Sequence, residues 1–453
     1  MSTLSTKPPS GTRDFLPEDI RRREYVMRVI RDVYESYGFE PLETPAYENI
    51  ETLLGKYGEE GNKLIFKILK RGEHEASGEA DLALRYDLTV PLARVVAQYQ
   101  AELPRFFKRY QIQPVWRADR PAKGRFREFY QCDIDAMGST SPVVEAELIG
   151  AVSEVLSRLG FDNFTVRLNH RKVLSALMEC AGVPAALHGD ALVAIDKLDK
   201  IGTAGVEKEL AERGVDLSAT RACLEFFSGA TAVDPQPHSM LARIRAFVQS
   251  HHAGPTAMDE LEATVSLADG GPAHGRIRID PSLARGLSYY TGAIMEIAVP
   301  DLQGSMGGGG RYDNLVGMFL GRDVPAAGFS LGLERIIVVM TERGMFPAKV
   351  SRGPVDVMVT FLSDDLRADA LRLASELRAE RLRVEMFPEG SRKLDRSLKY
   401  ASSRNAPVLA ILGEDERARG EVAVRDLQTR QQEAVPRATA ATEIARRVRI
   451  EAS

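Results

Sequence analysis

The stretch Arg117 to Arg127, RADRPAKGRFR, packs five cations and one acid into eleven residues of a chain whose formal net charge is −4. Guanidinium groups at that density suit an anion, above all a phosphate, which arginine grips through paired, charge-assisted hydrogen bonds. The flanking segments RYQIQPVWRAD and RFREFYQCDID read as two antiparallel strands, with Pro121 and Gly124 marking the turn between them. In the second strand a two-residue period puts Arg127, Phe129, Gln131, Asp133 and Asp135 on one face. A cation, an aromatic ring, an amide and acids make a poor core. They suit a ligand that carries phosphate, a base to stack and a polar group to orient. A solvated strand whose charges keep the protein soluble explains the same charge run, so this stretch alone leaves the function open.

The elements that must position these residues fall into four segments. Residues 1–169 alternate helical patterns such as EDIRRREYVMRVIRDVYESYG with extended aromatic stretches, a mixed α+β beginning. Residues 170–272 read as a mainly helical insertion (KVLSALMECAG, LVAIDKLDKIG, MLARIRAFVQSHH), and residues 273–345 return to strand character. There GSMGGGGRYDN reads as a loop, followed by a long apolar helix from about Gly332. After a linker near VSRGP, residues 354–453 alternate strands and helices, with Leu366, Ala370, Leu373, Ala374 and Leu377 on one helix face. That alternation predicts a separate α/β domain.

Composition agrees with a multi-domain globular chain: 453 residues, 44% apolar and 27% charged. No apolar run approaches the roughly 18 residues of a membrane span. The N-terminus lacks the apolar centre of a secretory signal, and Cys132, Cys180 and Cys223 are few and widely spaced. These features predict a reducing, cytoplasmic setting. The seven histidines, His251 and His252 among them, form no zinc-ligand spacing, so no metal site is predicted.

Five segments in order, LRYDLTVPLAR (Leu84 to Arg94), the arginine cluster, LARGLSYYTG (Leu283 to Gly292), GGGGRYDNL (Gly307 to Leu315) and AAGFSLGLERI (Ala326 to Ile336), together resemble the histidyl-tRNA synthetase family. The resemblance runs nearly end to end, from GTRDFLP at Gly11 to the C-terminal α/β domain. It implies a class II synthetase, α+β, with an antiparallel six-stranded catalytic sheet, a helical insertion, a C-terminal anticodon-binding domain and a homodimer in which Pro45 belongs to the interface motif. It also implies the chemistry: the histidine carboxylate attacks the α-phosphate of ATP, and the histidyl-adenylate is then transferred to tRNA. An ionised carboxylate needs positioning and charge stabilisation rather than a general base.

By that resemblance, Arg117 holds the α-phosphate and carboxylate, Phe129 stacks on adenine, Arg125 and Arg335 bind the outer phosphates, and Asp119 joins the ATP set. Arg285 contacts the α-phosphate, which makes it catalytic together with Arg117, and both lie against the histidine. Asp87, Thr89 and Gln131 take the α-amino end, while Asp135, Tyr289 and Tyr290 form the ring pocket. Mg2+ enters with ATP, on whose phosphates most of its ligands lie. Two positions depart from the family pattern: Ser288 stands where Asp is usual in RGLDYY, and Ala122 stands for the Gln of RPQKGR in the loop facing the tRNA acceptor end. From Pro354 onward 18 Lys and Arg face 17 Asp and Glu, a balance that decides nothing about RNA binding. The alternative is a non-catalytic relative, the synthetase-like regulatory subunit of ATP phosphoribosyltransferase, which shares the catalytic fold but usually lacks the anticodon domain and intact ATP motifs.

Overall fold

A computed structural model of the chain describes residues 5–72, 77–122, 124–195, 197–230, 236–284, 289–300, 302–351, 353–390 and 393–450. The chain forms two compact units, Met1–Met345 and Phe346–Ser453.

The strands of the first unit are β1 (Glu40–Pro41), β2 (Tyr47–Asn49), β3 (Lys67–Leu69), β4 (Ala80–Leu84), β5 (Phe107–Trp116), β6 (Glu128–Met137), β7 (Thr165–His170), β8 (Ile277–Ile279), β9 (Ala293–Ala298), β10 (Gly307–Arg311) and β11 (Ala326–Gly332). Eight of them form one sheet in the order β1-β5-β6-β11-β10-β9-β7-β8, and β2, β4 and β3 form a small antiparallel sheet. The six central strands of the large sheet pair antiparallel throughout. The short β1 and β8 add to the two edges in parallel, so the sheet is two strands wider than the six expected.

One face of this sheet is closed by helices. In the helix Pro17–Ser36, proline opens the first turn, Asp19 accepts from the Leu16 amide at 3.3 Å, and Val26, Ile30, Val33 and Tyr34 form a fully buried stripe at helical spacing. It packs on the helices Val143–Arg158 and Leu333–Glu342, which in turn lie on β6 and β11. Cys132 and Ile134 of β6 point into that layer, and the Tyr34 hydroxyl donates to the Cys132 carbonyl at 3.1 Å. Strand alternation therefore sends Gln131, Asp133 and Asp135 to the opposite face.

The glycine run, read from sequence as a loop, is strand β10 in the middle of the sheet. Its glycines are required by close approach: a Cβ on Gly309 would collide with the Gly328 backbone, and one on Gly310 would lie 2.5 Å from the Ala293 carbonyl and 3.0 Å from the Tyr290 ring. Tight neighbours override the usual weakness of glycine as a strand former.

Between β7 and β8 run the helices Arg171–Cys180, His188–Ile195, Leu198–Glu212, Leu217–Ala230, Pro237–Val248 and Gly254–Asp269. His170 joins the first and last of these, accepting from the Lys172 amide at 3.3 Å while its Nε2 lies 3.0 Å from Glu260. The last helix also packs on Val143–Arg158.

The second unit has strands β12 (Val357–Phe361), β13 (Val384–Met386), β14 (Val408–Leu412), β15 (Glu421–Asp426) and β16 (Gln432–Pro436) in the order β13-β12-β14-β15-β16. The first three are parallel and the last two antiparallel to their neighbours. Leu366, Ala370, Leu373, Ala374 and Leu377 are all fully buried on this sheet, together with Ile444 and Ala445 of the final helix, which gives the unit its own core.

Candidate active site

The hairpin β5–β6 carries the site. Its register pairs Arg109 with Asp135, Gln111 with Asp133 and Gln113 with Gln131, so a polar row on β5 faces the acids of β6. On the other side β11 presents Gly328, Ser330 and Gly332 against the same three residues. Small residues on β10 and β11 leave space above this face, and two adjoining cavities occupy it. The outer one, of about 480 Å³, is lined among others by Arg117, Asp119, Arg125, Phe129 and Arg335. The inner one, of about 110 Å³, is lined among others by Asp87, Thr89, Asp133, Asp135, Tyr289 and Tyr290. Arg117, Gln131, Gly308 and Ser330 belong to both.

Arg117 is fixed at that junction. Its Nε donates to the Tyr86 carbonyl at 3.0 Å, and its guanidinium carbon lies 4.2 Å from the centroid of the Tyr86 ring and 5.2 Å from that of Phe129. An arginine held by its Nε and its flat faces presents its terminal N–H groups as a fork for an anion. Arg125 pairs with Asp119 at 2.8 Å, and Arg335 donates to the Ser305 carbonyl. Glu334, also in the outer wall, is consumed internally: Arg23 donates to it at 2.9 Å and the Tyr130 amide at 3.0 Å.

The inner cavity concentrates buried acids. Asp87 accepts from the Tyr57 hydroxyl at 2.9 Å and from the Val90 amide at 3.1 Å, at the entrance to the helix Thr89–Gln98. Asp135 accepts from Tyr312 and lies 2.8 Å from Arg109, whose side chain is completely buried. Burial pushes the carboxyls of Asp87, Asp133 and Asp135 above the ordinary aspartate range; Arg109 pulls those of Asp133 and Asp135 back down, and the pressure of Asp135 pushes Asp133 further up. The Tyr289 and Tyr290 rings meet edge to face at 4.7 Å, and burial raises both phenols, which therefore stay protonated donors. Two acceptors in the wall, Gln131 Oε1 and Asp133 Oδ1, have no partner among the described residues, whereas Asp135 Oδ2 is held by the ion pair with Arg109.

The fold brings eleven of the twelve site residues inferred from sequence to these two cavities: Arg117, Asp119, Arg125, Phe129, Arg335, Gln131, Asp87, Thr89, Asp135, Tyr289 and Tyr290. Arg285, and Ser288 beside it, lie outside the described residues. Arg127 does not line either cavity: it sits just before β6 and turns back, its Nε donating to the Asp119 carbonyl at 3.0 Å. Ala122 closes the turn of the arginine loop by exchanging backbone hydrogen bonds with Arg125 at 2.9 and 3.1 Å. Arg109, Tyr57, Tyr86, Tyr312 and Ser330 escaped the sequence reading; the two-residue period groups Arg109 with Gln111 and Gln113 on one face of β5, but only the register with β6 sets it against Asp135. Glu179, His251 and His252 cluster in the helical segment. His251 Nδ1 there accepts from the Ala253 amide at 3.1 Å, which leaves the proton on Nε2 to meet Glu179 at 2.8 Å, a satisfied hydrogen bond.

Comparison with known proteins supplies an independent line. The family model described as histidyl-tRNA synthetase matches residues 11–336, and that described as anticodon binding domain matches residues 356–447. Curated histidine–tRNA ligases are similar over nearly the whole chain: that of Gloeobacter violaceus is 42% identical over 466 aligned positions, covering 97% of this chain and 98% of the relative. That of Christiangramia forsetii is 41% identical over 434, covering 91% and 94%. The crystal structure of histidyl-tRNA synthetase from Nostoc sp. PCC 7120 superposes with a TM-score of 0.82 at 32% identity, covering 98% of this chain and all of that one. A Bacillus halodurans structure described as an ATP phosphoribosyltransferase regulatory subunit/histidyl-tRNA synthetase reaches 0.73 at 20% identity, a likeness of fold alone.

Proposed function

The chain belongs to the histidyl-tRNA synthetase family, and from that premise we propose how its two cavities attach histidine to tRNA: ATP occupies the outer one, histidine the inner one, and the histidyl-adenylate forms where they meet. The enzyme is an aminoacyl-tRNA ligase that uses ATP. The observation that carries the division of labour is that Arg117 lies in the walls of both cavities. A fork there can hold the histidine carboxylate and the α-phosphate together, in line for attack, and neutralise the charge that builds as pyrophosphate leaves. Phe129 stacks on the adenine, with Arg125 and Arg335 on the outer phosphates and Asp119 orienting Arg125. At the inner end Asp87, Thr89 and Gln131 receive the α-ammonium, while Asp135, Tyr289 and Tyr290 surround the imidazole. Buried polar partners of this kind reject analogues by about 10⁴-fold, because a wrong side chain leaves them unpaired.

Arg285 completes the reading as a second contact to the α-phosphate, carried by the family pattern of ARGLSYY. Mg2+ enters bound to ATP. Asp119 and Glu334 in the outer wall are already engaged by Arg125 and Arg23, so these residues do not make a cage for the ion, whose ligands the phosphates of ATP would supply. The second unit binds the anticodon end of the tRNA, and the enzyme works as a homodimer in the cytoplasm, readings supported by the family. The division 1–169, 170–272, 273–345 and 354–453 follows the same reading. A purely regulatory role is disfavoured by the retained anticodon-binding domain and by the complete set of ATP-facing residues.

The test is ATP–pyrophosphate exchange run with each of the twenty amino acids, followed by charging of tRNA. Exchange stimulated by histidine alone is the expected result; exchange with none of them would overturn the catalytic reading.

A further inference from the structure

Asp133 is left without a role by the reading above, yet it stands in the wall of the inner cavity with one carboxylate oxygen lacking a partner. It is 2% exposed, so water cannot satisfy that oxygen cheaply. We propose that Asp133 is a specificity-determining residue whose Oδ1 accepts a hydrogen bond from the α-ammonium of the bound amino acid, beside Gln131 Oε1. The proposal rests on the inner cavity being the histidine site.

The placement at the ammonium end, rather than at the ring, follows from Ser330. Gln131 Nε2 donates to Ser330 Oγ at 2.9 Å, and Ser330 is the cross-strand neighbour of Asp133. Ser330 thus anchors Gln131 on the strand next to Asp133, and both Gln131 Oε1 and Asp133 Oδ1 are left as acceptors without a partner among the described residues. Ser330 and Gln131 belong to both cavities, so the pair lies toward the ATP end, where the carboxylate and ammonium of an amino acid must sit. Asp135 is occupied at the other end, by Tyr312 and Arg109.

Charge points the same way. Asp133 is faced by Arg109 from β5, by Asp135 on its own strand and by Asp87 from the turn before the helix Thr89–Gln98, with the hydroxyls of Tyr34, Tyr290 and Tyr312 nearby. Three carboxyls against Arg109 and Arg117 still leave an excess of acid that a ligand cation relieves. A neutral amine, or a ligand lacking the amine, forgoes that gain.

The experiment is a cycle between the enzyme and the ligand. Binding of histidine, of 3-(imidazol-4-yl)propionate, which keeps ring and carboxylate but lacks the ammonium, and of ATP is measured by calorimetry for wild type, Asp133→Asn and Asp133→Ser. The expected result is a loss of about 10- to 100-fold for histidine in both variants, with the propionate changed less than threefold and ATP unchanged. Histidine retained within threefold, or an equal loss for histidine and the propionate, would overturn the assignment. So would loss of ATP affinity in both variants, which would make Asp133 a structural residue. Failure of the wild type itself to bind histidine is a separate outcome and would overturn the functional reading beneath the proposal.

Discussion

Asp135 serves the fold and the ligand at once, because its carboxylate both compensates the buried Arg109 and lines the inner cavity. Asp135→Asn is therefore expected to weaken histidine binding by tenfold or more with ATP affinity nearly unchanged, and also to lower thermal stability by up to about 3 kcal/mol, since it breaks a buried ion pair. Calorimetry beside thermal melts separates the two effects, and an equal loss of both ligands would reduce Asp135 to a structural part. Asp133 differs through its pH dependence. Burial, with Asp135 adding to it and Arg109 opposing it, pushes its carboxyl up to about 7. Below that pH the group is protonated and no longer an anionic acceptor; above it the charge is present. The ratio of wild-type to Asp133→Asn histidine affinity should accordingly grow severalfold from pH 6 to pH 8, a comparison in which titration of the ligand's own imidazole cancels. A flat ratio would contradict it. Arg285→Ala should leave both ligands bound within about tenfold while slowing single-turnover adenylate formation by about 10² or more, the signature of a contact made chiefly in the transition state. The β6 side chains were legible because a period of two separates the faces of a strand. Arg109 was not, because a lone arginine in FKRYQIQ carries no sign of the acid that strand pairing sets against it.

Glycines decide how closely the elements approach. Gly328 faces Asp135 across β11 and β6, and a Cβ there would collide with Asp135 Oδ1. Gly328→Ala should abolish histidine-dependent exchange while ATP still binds, at a stability cost of about 1–3 kcal/mol for overpacking; normal histidine affinity would show that the strand shifts freely. The segment before the first helix acts on the other cavity. The Gly11 carbonyl accepts from the Arg127 amide at 2.8 Å, and the Arg13 guanidinium lies 3.8 Å from the centroid of the Phe126 ring, so this segment ties down the loop that carries Arg125. Gly11 has φ +84°, and a Cβ on it would come within 2.7 Å of the Arg127 side chain. Gly11→Ala should raise the KM for ATP several-fold and leave histidine affinity intact; steady-state kinetics with each substrate varied would show the reverse pattern if the segment served the inner cavity. Sequence periodicity anticipated the hairpin and the long helices, whose apolar faces repeat over many residues. It misread Gly307–Arg311 as a loop, because glycine's need for room inside a sheet depends on neighbours that lie far away in sequence.

The division of the chain into Met1–Met345 and Phe346–Ser453, each with its own buried core, predicts separable functions. A protein ending after Met345 should still exchange pyrophosphate with histidine present but charge tRNA poorly, through a raised KM for tRNA, because remote contacts are lost while the ATP cavity stays. Sedimentation of the same protein would reveal any loss of assembly; a shortened chain that charges tRNA with unchanged KM would refute the anticodon role of the second unit. At this scale the α/β pattern after Pro354 was readable directly, since each strand and helix there is short, regular and locally coded. The shared wall of the two cavities was not, because it arises from β6, β10, β11 and Arg117 just after β5, contributed by segments about 200 residues apart. That wall is the central claim, and a non-hydrolysable histidyl-sulfamoyl-adenosine, which joins the two halves of the adenylate, tests it most directly. Spanning both cavities across Arg117, it should displace ATP and histidine competitively and bind more tightly than either. Competition with only one of them would contradict the account.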